Sequence, residues 1–148
     1  MIKIKIFFFA LIALMTFSCS NDDSNSGQNS PNPTASNGFV WTINGTTASK
    51  NTTVANYNLQ GSAMNLFATP NGTIFEINLT GSTPGTYTLG NGNGLYYNFS
   101  ATENLTNPTS GSVTITSFAN NKVSGTFTAT GTGIGVTSIT GTFTNIEL

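Results

Sequence analysis

The chain has 148 residues, of which only 6% are charged, with no histidine, no arginine, one cysteine and a formal net charge of −1. That inventory leaves out Ser–His–Asp and Cys–His catalysis, imidazole or multi-thiolate metal sites, and an arginine clamp for carboxylate or phosphate. It also lacks the basic footprint of a nucleic-acid binder, so no nucleic-acid partner, metal or cofactor is expected.

Lys3 and Lys5 precede residues 6–17, which are apolar apart from Thr16, the layout of a secretory signal. The run is shorter than the about 20 apolar residues that a membrane-crossing helix needs. Cys19 follows directly behind small Ser18, an arrangement that resembles the lipobox of bacterial lipoproteins, although Thr16 and Phe17 stand where that box carries leucine and a small residue. A lone cysteine cannot close an intramolecular disulfide, and a lipid thioether accounts for both its solitude and its position. The resemblance implies residues 1–18 as signal peptide and Cys19 as the lipidation site. Two or three acyl chains, at about 0.8 kcal/mol per buried methylene, would then hold the protein to its membrane partner. Ser20-Asn21-Asp22-Asp23 resembles the acidic export signal of Bacteroidota lipoproteins, which implies an outer-membrane protein facing the cell exterior, with a periplasmic orientation as the alternative.

Residues 20–38 are Ser, Asn, Asp, Gly and Pro with almost nothing apolar, a composition that cannot bury a core. With Cys19 they read as a lipidated linker, residues 19–38, spanning ~24 Å as a flexible coil. Residues 39–148 then form one domain. With the signal removed, Lys50 and Lys122 face Asp22, Asp23, Glu76, Glu103 and Glu147.

From Phe39 onward short alternating apolar runs are separated by turn residues, the pattern of an antiparallel all-β domain. Phe39-Val40-Trp41-Thr42-Ile43 runs into Asn44-Gly45, a two-residue hairpin signal. Between Thr46 and Gln60, Val54, Tyr57 and Leu59 indicate one irregular strand. Residues 64–68 and 73–79 flank Pro70-Asn71-Gly72 as a hairpin; Phe75, Ile77 and Leu79 share one face, and Ile74, Glu76 and Asn78 share the other, mostly solvated one. Thr83-Pro84-Gly85 leads to Tyr87 and Leu89. Asn91-Gly92-Asn93-Gly94 then turns into Leu95-Tyr96-Tyr97-Asn98-Phe99, where adjacent Tyr96 and Tyr97 must face opposite ways. Residues 102–110 read as a longer loop.

In the last third, Val123-Ser124-Gly125-Thr126-Phe127-Thr128 recurs as Ile139-Thr140-Gly141-Thr142-Phe143-Thr144. Paired about a tip near Gly133, these segments set Gly125 opposite Gly141, Phe127 opposite Ile139 and Val123 opposite Phe143. Mid-strand glycines permit a sharp coil of the sheet or leave room for an aromatic ring. A three-residue loop Ala119-Asn120-Asn121 sets Ile115 beside Gly125 and Val113 beside Phe127. The expected fold is an antiparallel meander of eight or nine strands closing as a β-sandwich or flattened barrel.

Trp41-Thr42-Ile43-Asn44-Gly45, Gly85-Thr86-Tyr87-Thr88-Leu89, Gly111-Ser112-Val113-Thr114-Ile115-Thr116, Val123-Ser124-Gly125-Thr126-Phe127 and Ile139-Thr140-Gly141-Thr142-Phe143 together resemble a domain-of-unknown-function family of Bacteroidota lipoproteins. The resemblance spans residues 39–148 and implies an anchored β-domain without an assigned activity.

Gly131-Thr132-Gly133-Ile134-Gly135 has the wrong glycine spacing for a phosphate cradle and reads as a hairpin tip. Asn91-Gly92-Asn93-Gly94 lacks the carboxylates of a calcium loop. Asn44, Asn51, Asn71, Asn78, Asn98 and Asn104 each open an Asn-x-Ser/Thr triplet, as a chain rich in Asn and Thr will. Trp41, Tyr57, Tyr87, Tyr96 and Tyr97 either line a sugar-stacking surface or pack the core. A pair drawn from Glu76, Glu103 and Glu147 is the one remaining route to catalysis, through glycoside hydrolysis. The expectation is a non-enzymatic anchored domain for binding or adhesion to a glycan or protein ligand, or an assembly role through a sheet edge such as the C-terminal strand.

Overall fold

The computed structural model describes residues 37–69 and 74–148, so the signal, Cys19 and nearly all of the linker lie outside the described residues. Those described form eleven strands: β1 (Gly38–Ile43), β2 (Lys50–Thr52), β3 (Ala55–Gln60), β4 (Ala63–Ala68), β5 (Phe75–Leu79), β6 (Gly85–Thr88), β7 (Gly94–Ser100), β8 (Glu103–Leu105), β9 (Asn107–Ala119), β10 (Lys122–Thr132) and β11 (Ser138–Glu147). Two more strands form than the upper expectation of nine, because three-residue β2 and β8 are too short to leave an alternating pattern.

All eleven belong to one sheet ordered β6-β9-β10-β11-β3-β4-β5-β7-β8, with β1 set against β11 and β2 against β1. It is a curled, open sheet, a half-barrel. The meander is only partial. β6 leaves β5 to pair with β9, which brings β7 beside β5, and β1 returns to pair with the last strand along residues from Gly38↔Thr144 to Ile43↔Ile139. The C-terminal strand is therefore interior, flanked by β10 and β1 and then by β3 at Glu147↔Asn56, rather than a free edge.

Phe75 is the centre of the core. Its ring lies 5.3 Å from Phe39, 5.0 Å from Trp41, 4.9 Å from Tyr97 and 5.2 Å from Phe127, so it joins β5 to β1, β7 and β10. Each such pair adds about 0.5–1.5 kcal/mol beyond its buried area. Ile74, expected on the solvated face, is buried with the core cluster, while Val54 and Leu59 are exposed and of the three apolar residues marking the β2–β3 region only Tyr57 is buried. The expected loop at residues 102–110 is instead β8 and the start of β9.

The repeated segments face each other two residues out of the expected register. Gly125 pairs with Phe143, Phe127 with Gly141, and Ala129 with Ile139. An even shift preserves the face, so the inward set is as expected, but each glycine now lies under a ring. A methyl added at Gly125 or Gly141 would overlap that ring and a backbone carbonyl of the next strand. The glycine faces an aromatic because two opposed rings would overfill the space and two opposed glycines would leave it empty.

Ile115 does pair with Gly125, and Val113 with Phe127, though by a different route. The turn is the two residues Asn120 and Asn121, with φ of 53° and 57°, the positive values a type I′ hairpin needs. A register shift between Ser124 and Gly125 then restores the face that a two-residue loop alone would invert. Asn44 and Gly45 also turn at positive φ, but the connection to β2 continues to residue 49. Asn44 instead fastens the β10–β11 tip, its Oδ1 accepting from Thr137 N at 2.8 Å and its Nδ2 donating to Gly135 O at 2.8 Å.

Candidate functional site

Polar chemistry gathers in two places, at one rim of the half-barrel and on its outer faces. At the rim, the Trp41 indole N–H donates to the Tyr97 hydroxyl at 3.1 Å, and that hydroxyl donates to Glu103. Both Glu103 oxygens accept from Lys50 Nζ, at 2.7 and 2.6 Å, and Lys50 sits 4.0 Å above the Phe99 ring. β1, β2, β7 and β8 are tied together by this chain of contacts. Burial pushes the Tyr97 phenol well up, with the Glu103 hydrogen bond adding to it. Burial also pushes the Glu103 carboxyl up, but hydrogen bonds from Lys50 and Tyr97 and the Lys50 charge outweigh it and hold the group below its ordinary value. The cluster satisfies its own donors and acceptors, which makes it a lock rather than an open site.

The three glutamates do not converge. Glu103 turns to the rim, Glu147 pairs with Lys122 at 2.6 Å, and Glu76 projects from the outer face of β5 and accepts from Asn78 Nδ2 at 3.2 Å. Among the described residues no group of three or more His, Cys, Asp or Glu side chains gathers around a common point.

The five aromatics proposed for stacking are divided. Trp41, Tyr57 and Tyr97 are buried, and Tyr87 is half-buried with its hydroxyl bonded to Thr83 O at 2.7 Å. Tyr96 alone remains at the surface, 36% exposed.

Outside β6, β9, β10 and β11 the rungs are hydroxyls. One runs Thr86, Thr114, Thr126, Thr142 and ends on apolar Val40 of β1, and the next runs Thr88, Ser112, Thr128, Thr140, Thr42. Thr86 and Thr114 hydroxyls are 2.9 Å apart, and further along Ser110 and Thr130 are 2.6 Å apart. A shallow groove lies between the rungs over the Gly141 backbone.

Outside β3, β4, β5 and β7 the rungs differ from one another. One reads Asn56, Phe67, Glu76, Tyr96; the next reads Asn58, Asn65, Asn78, Gly94. Asn65 Nδ2 donates to Asn58 Oδ1 at 3.0 Å. Phe67 leaves no local signal in the sequence, because its place beside Glu76 and Tyr96 depends on the register of three strands, one of them brought in by the β6 excursion.

A family model, Domain of unknown function (DUF6252), matches residues 35–147, and the chain belongs to that family. Neither a curated protein nor a solved structure matches it.

Proposed function

We propose, with membership of the DUF6252 family as the premise, that this is a non-enzymatic lipoprotein whose β-domain binds a ligand at the cell surface. Cys19 is the acylated residue, residues 1–18 the signal peptide and residues 19–38 the tether. The protein sits on the outer membrane through its acyl chains, facing outward, and uses no cofactor. The observation that carries the reading is the distribution of charge. Both described lysines are held in ion pairs, with Glu103 and Glu147, while the outer sheet faces carry hydroxyls, amides, half-buried Phe67 and exposed Tyr96. Such a surface is suited to recognition, with few groups available to move protons.

Intact mass and protease shaving of whole cells test this, comparing wild type with Cys19→Ala. Acyl mass on the wild type alone, with loss of the domain on shaving, is the expected result. Acyl mass with full protection would place the domain inside the periplasm and favour an assembly role; absence of acyl mass would overturn the anchor.

A further inference from the structure

Resting on that reading of a binding domain, we infer that the outer row formed by Phe67, Glu76 and Tyr96 is a binding site for a neutral, extended, β-linked glycan. Phe67 pairs with Glu76 and Glu76 with Tyr96, so two rings flank one carboxylate on a single face. The rings are separated by two interstrand spacings, about 10 Å at the backbone. That is close to the two-sugar repeat of an extended β-linked chain, whose alternate pyranoses present an apolar C–H face in the same direction.

The two rings are also distinct from the rest of the aromatics. Among the described residues, Trp41, Tyr57, Tyr97 and the other phenylalanines each have a ring partner, and Tyr87 is held by its hydroxyl. Phe67 and Tyr96 have neither a ring partner nor a hydrogen bond in that set, and they share one row. Glu76 lies between them without a cation, since the described lysines are paired elsewhere. An uncompensated carboxylate repels anionic polymers and accepts from sugar hydroxyls, and Asn78, already bonded to it, holds it in place.

Strand chemistry points the same way independently. Threonine favours strands and asparagine disfavours them, yet Asn56, Asn58, Asn65 and Asn78 lie side by side here while the opposite part of the sheet is built of threonine. Residues chosen against local preference mark a site where function decides.

Affinity electrophoresis of the full chain through gels containing mixed-linkage β-glucan, xylan or β-mannan tests the site, with dextran as the α-linked control and alginate as the anionic one. Retardation by at least one neutral β-linked polymer is expected, weakened about tenfold or more in Tyr96→Ala, the factor that 1.4 kcal/mol represents. Phe67→Ala should act alike, and Thr128→Ala should not. If Phe67→Ala fails to fold, exposed Tyr96 decides alone. Retardation by none of the three, by dextran or alginate only, or to an extent unchanged in Tyr96→Ala would overturn the site. Because the assay uses purified protein, such a failure leaves surface display to be judged by shaving, and a shaving failure leaves this result standing.

Discussion

The two parts of the half-barrel share one core and one alternation but differ in what they present to solvent. Outside β9, β10 and β11, rung after rung repeats threonine or serine, the residues that suit a pleated, half-exposed surface. Outside β3, β4, β5 and β7, the rungs change from amides to ring, carboxylate and ring. The first part follows strand preference, with Val40 beside Thr142 as its apolar exception. The second departs from strand preference at Asn56, Asn58, Asn65 and Asn78, beside the row proposed above as the glycan site.

Substitutions can break or sharpen this contrast. Phe75→Ala should affect both parts together, because its ring joins them; a loss of about 3–5 kcal/mol in denaturant unfolding is expected. Gly125→Ala acts within the threonine part, where the new methyl meets the Phe143 ring and the Thr114 carbonyl; about 1–3 kcal/mol should be lost. A neutral result would refute the close approach of the Phe143 ring and the Thr114 carbonyl to this backbone.

Glu103→Gln should cost about 1–3 kcal/mol, because Lys50 and Tyr97 lose a charged acceptor in a half-buried setting. The sign of the pH effect follows from the lowered carboxyl. Its stabilisation is present above the unfolded value near 4.5 and is lost as pH falls through the lower folded value. Wild-type melting temperature should therefore fall more on acidification than that of Glu103→Gln, and parallel profiles would contradict the rim lock. At the small end, Thr128→Ala and Tyr96→Ala should each change stability by no more than about 0.5 kcal/mol, since both side chains are exposed. They should part only in ligand binding.

Alternation makes much of each strand legible in the residues alone. Phe75, Ile77 and Leu79 point inward, and Tyr96 and Tyr97 diverge as a two-residue period requires. Register is legible where a turn sets it, as at Asn120 and Asn121, although a bulge is needed to keep the expected pairs. It is misread at Gly125 and Gly141, where similarity of the two segments favours like opposite like and packing favours ring over glycine. The rim lock and the outer row are hidden for a common reason. Glu103 meets Lys50 across 53 positions, and Phe67 reaches Tyr96 only through β5 and a crossover that no local pattern encodes.

The division between the two outer faces is the central claim. Backbone hydrogen exchange of the full chain, with and without a saturating soluble oligosaccharide of each of the three neutral β-linked polymers in turn, measures that division directly. Slowed exchange confined to β4, β5 and β7 around Phe67, Glu76 and Tyr96, with the threonine strands unchanged, is the predicted result. Protection centred on β10 and β11, or protection nowhere, would contradict it.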